Sequence, residues 1–205
     1  MKICVCGYKG KTGSKVYELL KEEGFDVKGI EKEDKLDNRV DLLIDFTNID
    51  NSLKNINWCI DNKIDFIVGT TGFNIEEIKA IKRKCKANKI KGIISYNFSL
   101  PINYLLNSFS FFNKYFNDFS YLDIHHISKI DKKSGTTTMF LSKNNKIKVK
   151  SIKTPKNSVS YIIQMRSKYD KMNITYQVDD KKAFALGIVY YLKSKDERYL
   201  NNLLE

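Results

Sequence analysis

Lys2-Ile3-Cys4-Val5-Cys6-Gly7-Tyr8-Lys9-Gly10-Lys11-Thr12-Gly13-Ser14 joins an apolar run to a helix start through a turn with glycines at 7, 10 and 13. Lys2–Cys6 reads as a short strand in which Cys4 and Cys6 point the same way, as small buried side chains do. Ser14–Glu23 reads as an amphipathic helix with Val16, Leu19 and Leu20 inward. Glycines in the intervening turn let the backbone approach a pyrophosphate closely. The helix N-terminus adds N–H groups and a partial positive charge, and Lys11 offers a direct phosphate contact. The spacing is G-x-x-G-x-x-G rather than the stricter G-x-G-x-x-G, so a plain glycine-rich turn competes with this reading. Position between a strand and a helix favours the phosphate loop.

Outward from this unit, Phe25–Ile30, Asp41–Phe46, Asp65–Val68 and Ile90–Ser95 read as strands, with Asn51–Asn62 and Asn74–Asn88 as helices between them. Strand and helix in strict turn predict parallel βαβ units and a Rossmann-like doubly wound sheet, whose ligands lie at the carboxyl ends of the strands. After Asn97 the pattern changes. One aromatic-rich helix, Asn103–Phe116, precedes strands at Tyr121–Ser128, Lys146–Lys153, Ser158–Met165 and Asn173–Val178, which predicts a second, smaller α+β domain. A last helix, Ala183–Lys193, carries an apolar face suited to return to the first domain. The expected division is 1–97 plus 181–205 against 98–180.

With 205 residues, 42% of them hydrophobic, the chain is long enough to bury a core. Its net charge of +12 is spread among acids rather than gathered in one tail or stripe, and no nucleic-acid motif accompanies it. The apolar start is too short for a signal peptide and no run is long enough to span a membrane, so a cytoplasmic protein without nucleic-acid or membrane partners is expected. Four cysteines without a C-x-x-C pair and two histidines give no usual metal spacing, so no metal site is expected.

Candidate ligand residues fall at the strand ends. Glu31 follows the second strand, where an acidic residue bonds ribose hydroxyls, and Lys32 beside it suits a 2′-phosphate, so NADH and NADPH both stay open. An exposed charged turn is the bland alternative. Asp45-Phe46-Thr47, Gly69-Thr70-Thr71-Gly72 and Asn97-Phe98-Ser99 end three further strands. Any one of them is ordinary turn chemistry, but three in succession point to one crevice. Both histidines are adjacent, in His125-His126-Ile127-Ser128-Lys129-Ile130-Asp131-Lys132-Lys133-Ser134-Gly135-Thr136. Neighbours on a strand face opposite ways, unless the strand ends here and its turn brings both rings to one pocket. Imidazole suits proton transfer, Lys129 can meet a carboxylate, and Ser134, Gly135 and Thr136 offer hydroxyls and N–H groups as a compact anion nest. A surface turn with incidental histidines is the competing reading.

These residues closely resemble the dihydrodipicolinate reductase family. The glycine loop is similar to Gly7–Gly13. The D-F-T, G-T-T-G and N-F-S turns match Asp45–Thr47, Gly69–Gly72 and Asn97–Ser99. H-H-x-x-K-x-D-x-x-S-G-T is matched from His125 to Thr136, and F-A-x-G at Phe184–Gly187. The resemblance implies a reductase of 4-hydroxy-tetrahydrodipicolinate acting in lysine and diaminopimelate biosynthesis with NADPH or NADH. It implies His125 as proton donor and acceptor and Lys129 as a second donor. His126, Ser134, Gly135 and Thr136 are implied to hold substrate carboxylates. The cofactor would lie against Gly7, Tyr8, Lys9, Gly10, Lys11, Thr12, Glu31, Lys32, Gly69, Thr70, Thr71, Ser95, Tyr96, Asn97 and Phe98. The first domain would then bind dinucleotide, and 98–180 would bind substrate and build a homo-oligomer, a tetramer by resemblance, with a dimer also open.

Several positions depart from the family pattern. Lys133 stands in place of proline and Pro101 in place of glycine. Lys11 and Lys181 stand where arginine is expected, which keeps charge but loses a planar fork. The second domain is expected to lack much of the helix after Thr136. Two alternatives remain at this stage: another two-domain NAD(P)-dependent oxidoreductase, and a non-enzymatic cofactor-sensing or nucleic-acid-binding protein. Substrate specificity tests the first, and salt-resistant DNA binding without turnover would mark the second.

Overall fold

β1 (Lys2–Cys6) is apolar on both faces because helices cover both sides of the sheet to which it belongs. The computed structural model describes residues 1–31, 34, 36–127, 134–155, 159–194 and 200–204. After β1 come α1 (Gly13–Glu22), β2 (Asp26–Ile30), β3 (Leu42–Asp45), α2 (Ile49–Asn62), β4 (Asp65–Val68), α3 (Ile75–Asn88) and β5 (Gly92–Ile94). These five strands form one parallel sheet in the order β2-β1-β3-β4-β5. The chain leaves β1 on one side and returns on the other, so the switch point lies between β1 and β3. The α/β, Rossmann-like fold expected from strand–helix alternation is present.

Two apolar clusters sandwich this sheet. On one face Ile3, Val5 and Ile44 meet Val16 and Leu20 of α1. On the other, Cys4, Cys6 and Leu43 meet Ile56 and Cys59 of α2 and Ile81 and Cys85 of α3. All four cysteines are buried, unbridged filler. Helix ends follow local chemistry: Asn48 caps α2 by accepting from the Asn51 N–H, and Asn74 and Glu77 form a capping box on α3.

The chain then forms α4 (Leu100–Asn107), α5 (Phe109–Tyr115), β6 (Asp118–His126), α6 (Gly135–Lys143), β7 (Lys148–Thr154), β8 (Val159–Arg166) and β9 (Lys171–Val178), and closes with α7 (Lys182–Ser194). It divides into two compact units, 1–100 with 181–205, and 101–180. In the second, a four-stranded sheet has the order β7-β6-β8-β9, with β6 and β7 parallel and the other pairs antiparallel. Its core is aromatic: Phe109 lies 5.3 Å from Phe140 and 5.8 Å from Phe119, and Tyr121 lies 5.0 Å from Phe140, centroid to centroid. β7, an edge strand, carries exposed Lys148, Lys150 and Lys153, a placement that discourages further pairing.

One expectation needs correction. The single helix over Asn103–Phe116 is broken at Ser108, whose hydroxyl donates back to the Tyr104 carbonyl at 3.0 Å and competes with regular helix geometry. α6 spans nine residues, with Ser134 Oγ accepting from the Thr137 N–H as its cap. Pro101 sits in the first turn of α4, where its missing N–H costs nothing.

α7 belongs to the first unit. Ala185, Ile188, Val189 and Leu192 join the α1 side of the core, and Lys182 and Lys193 pair with Glu22 and Glu23. Gly187 is obligatory here: a Cβ would lie 1.7 Å from the Phe98 carbonyl oxygen, so α7 crosses the Asn97–Ser99 turn with no room for a side chain. Farther on, Asn202 donates to the Gly92 carbonyl and accepts from the Ile94 N–H, lying along β5.

Candidate active site

The glycine loop lies beyond the end of β1, at the switch point. Gly7 has φ +76°, and a Cβ on Gly13 would fall 2.2 Å from the Gly7 carbonyl oxygen, so the first turn of α1 closes onto the loop only with glycine there. A cavity of about 730 Å³ opens beside it, lined by Gly7, Lys9 and Gly10 together with Glu31. The Glu31 carboxylate pairs with Lys9 Nζ at 3.2 Å, both side chains being exposed. A second cavity, about 470 Å³, is lined by Lys11, Thr12, Gly69, Thr70 and Thr71, and Phe46 and Thr47 border both cavities. These nine expected cofactor residues thus surround one crevice.

The remaining expected cofactor residues behave differently. Tyr8 lies against Gly29 and Tyr17. The Phe98 ring is core, edge-on to Phe46 at 6.0 Å. Ser95 is buried with its hydroxyl donating to the Asn97 carbonyl, and Asn97 Oδ1 accepts from the Ser99 N–H. Tyr96 donates to the Phe73 carbonyl. The side chains of 95–98 therefore shape their turn, and what the turn offers a ligand is backbone. Lys32 lies outside the described residues.

The strand-end turns are tied together by Asp45, which is fully buried. Its carboxylate accepts from the Thr47 N–H and hydroxyl, the Ser52 hydroxyl, the Asn55 amide and the Thr70 hydroxyl. Four α2 residues not singled out from the sequence as ligand contacts also line the larger cavity: Asn51, Lys54, Asn55 and Trp58. Their spacing along that helix could have flagged them. Lys181, read only as a departure, is pushed below its ordinary pKa by burial and by the charge of Lys11.

In the second unit β6 includes both histidines and ends at His126, two residues short of the expected Ser128, so along the strand their rings leave on opposite faces. His125 is buried with Phe119, Tyr121 and Asp123, while His126 is half-buried on the other face. A common pocket for both rings can form only beyond the end of the strand. His125 Nε2 stands 2.6 Å from Asp123 Oδ1. Burial would raise the Asp123 pKa, but hydrogen bonds from His125, Thr137 and Ser134 outweigh it and hold the carboxyl below the usual value.

Ser134, Gly135 and Thr136 form the cap and first turn of α6 rather than a separate nest. The hydroxyls of Ser134 and Thr136 are buried and engaged within the unit: Ser134 with Thr137 at 2.9 Å, and Thr136 donating to Tyr161 at 3.2 Å. What this turn can present to an anion is its backbone N–H groups and the positive end of the helix dipole. Lys129 and Lys133 lie outside the described residues. Among the described residues no cluster could hold a metal ion, and no helix is long and apolar enough to cross a membrane.

Residues 22–98 match the family model described as dihydrodipicolinate reductase, N-terminus. The 4-hydroxy-tetrahydrodipicolinate reductase of Wigglesworthia glossinidia brevipalpis is 33% identical over 193 residues, covering 87% of this chain and 72% of that protein. The chain belongs to the dihydrodipicolinate reductase family. A second family member, from Thermosipho africanus, is 26% identical over 192 residues, covering 91% of this chain and 88% of its own. The fold is shared with the dihydrodipicolinate reductase of Paenisporosarcina sp. TG-14, solved with dipicolinate bound (TM-score 0.73, 17% identity, 95% of this chain and 94% of that one). It is also shared with aspartate dehydrogenase of Thermotoga maritima (TM-score 0.64, 11% identity, 96% and 97%). Nicotinamide oxidoreductase chemistry is thus the family's setting for the residues described above.

Proposed function

We propose that this chain is a 4-hydroxy-tetrahydrodipicolinate reductase that uses NADPH or NADH to form tetrahydrodipicolinate for diaminopimelate and lysine synthesis. The observation that carries the reading is His125, an imidazole buried against a carboxylate beside the first turn of α6, in a chain of this family.

The crevice at the end of β1 fits a dinucleotide. Gly13 has no room for a Cβ, the loop opens a helix, and the cavity is bounded by an acidic residue at the end of β2. Gly7–Thr12 would hold the pyrophosphate, and Glu31 with Lys32 the adenosine ribose. Gly69–Thr71 and the backbone of 95–98 would face the nicotinamide half. Loss of water from the 4-hydroxy substrate would give the conjugated cyclic imine, and a nicotinamide bound in the crevice would supply a hydride to one of its carbons. His125 delivers the proton to the neighbouring carbon, with Lys129 as a second donor. His126 and the N–H groups of Ser134, Gly135 and Thr136 would receive the two carboxylates, favoured by the dipole of α6.

A homo-oligomer built on the second sheet fits its outward face, where Leu122, Ile124, Ile152 and Ile162 make an apolar strip among polar neighbours; a tetramer and a dimer both accommodate it. A cytoplasmic setting suits four unbridged cysteines. The test is consumption of NADPH and of NADH by the purified protein when freshly generated 4-hydroxy-tetrahydrodipicolinate is supplied. Turnover with either cofactor supports the reading, and none with both defeats it.

A further inference from the structure

Asp123 entered no reading of the sequence, yet among the described residues of the second unit it is the most completely buried charged group, at 1% exposure. Residues two apart on a strand share a face, so Asp123 and His125 project together from β6 toward α6. One carboxylate oxygen, Oδ1, lies 2.6 Å from His125 Nε2. The other, Oδ2, accepts from the Thr137 hydroxyl at 2.7 Å. Thr137 is itself fixed by Ser134, whose Oγ accepts its N–H at 3.0 Å and meets its hydroxyl at 2.9 Å. The Tyr161 ring stands edge-on to the imidazole at 6.0 Å, with its own hydroxyl held by Thr136.

A buried anion is costly unless its oxygens are engaged: Oδ2 accepts from Thr137 in the first turn of α6, and Oδ1 has the imidazole nitrogen 2.6 Å away and, among the described residues, no other hydrogen-bond donor. A carboxylate in that position holds an imidazole in one plane and one tautomer, and eases the positive charge that develops as a proton moves. We infer that Asp123 is a positioning residue for His125. Its Oδ1 takes the Nε2–H and so fixes the ring and its tautomer for proton transfer, while Thr137 fixes Asp123 against the first turn of α6. The strand that carries the proton donor and the helix that would meet the substrate carboxylates are thereby set in register by one carboxylate. This inference rests on the reading of His125 as the proton-transferring group.

The test compares Asp123→Asn, Asp123→Glu and His125→Ala in the full chain. Asp123→Asn is expected to lower kcat by about tenfold to a hundredfold while KM and cofactor affinity stay within about twofold, and Asp123→Glu to recover part of the loss. The chain has two histidines, so nitrogen-15 spectra of labelled protein resolve each ring. In Asp123→Asn one imidazole should change its tautomer pattern and the other keep it, a change that a merely structural role would not produce. If His125→Ala loses turnover while Asp123→Asn keeps kcat and both ring patterns, the positioning role is overturned and the His125 reading stands. If His125→Ala keeps full turnover, the His125 reading falls and the inference with it. Should Asp123→Asn fail to fold, Thr137→Val decides. A roughly threefold or larger fall in kcat with an altered ring pattern supports the inference, and wild-type values for both overturn it.

Discussion

Asp45, at the end of β3, and Asp123, in β6, are both almost wholly buried, yet their partners differ in kind. Asp45 is surrounded by neutral donors: an N–H, three hydroxyls and an amide, drawn from the Thr47 turn, α2 and the turn after β4. Asp123 divides itself between a hydroxyl and an imidazole. Neutral donors make a knot whose energy is the same whatever protons move nearby. An imidazole partner makes a contact whose strength changes each time the ring gains or gives up a proton. The first carboxylate shapes the rim of a crevice, and the second is coupled to chemistry.

The sharpest way to break this contrast is at the imidazole. His125→Ala is expected to lower kcat by roughly a hundredfold to ten-thousandfold with cofactor affinity near wild type, checked by steady-state kinetics and a nucleotide titration. Next comes the neutral knot. Asp45→Ala leaves the Thr47 N–H, the Asn55 amide and the buried Thr70 hydroxyl without this acceptor and should cost about 3 kcal/mol in denaturant unfolding. It should also weaken nucleotide binding, because Thr47 and Thr70 border the crevice. An Asp45→Ala protein as stable as wild type, but with altered histidine tautomers, would reverse the roles assigned to the two carboxylates.

Gly187→Ala probes the rim without touching either carboxylate. A methyl 1.7 Å from the Phe98 carbonyl forces α7 or the turn to shift, at about 2 kcal/mol by thermal or denaturant melting, with nucleotide affinity reduced. The smallest effect concerns acid. Since the folded state holds Asp123 below the usual carboxylate value of about 3.8, its contribution to stability is complete above that pH and is lost as pH falls through the lower folded value. Asp123→Asn should therefore flatten part of the acid limb of a stability-versus-pH curve, and an unchanged limb would count against the buried ion pair.

The first unit was legible because its signals are local and repeated. Apolar strands, amphipathic helices and glycines at 7, 10 and 13 each favour the same local geometry, and the parallel, doubly wound character of the sheet follows from their alternation. The second unit was less so. Ser108 interrupts a run that otherwise keeps helical periodicity, through one hydroxyl that no periodicity registers. α6 begins Gly-Thr-Thr-Thr, a poor helix former by propensity, and is stabilised by the Ser134 cap and by Thr137 spending its hydroxyl on Asp123. Ser134 and Thr136 looked like donors to a ligand, but their hydroxyls are committed to the fold, and only packing reveals that. Asp123 was within reach: Asp-Ile-His on a strand places carboxylate and imidazole on one face.

Asn202 lies along β5 and satisfies both a donor and an acceptor of that strand with one amide. Its contribution is protective as well as cohesive. β5 borders the parallel sheet, and bare backbone groups there would template the addition of a strand from another molecule. A side-chain amide that imitates a neighbouring peptide group blocks that template without supplying an edge of its own. Replacing it with a residue that lacks an amide would thus turn a folding question into a solubility one.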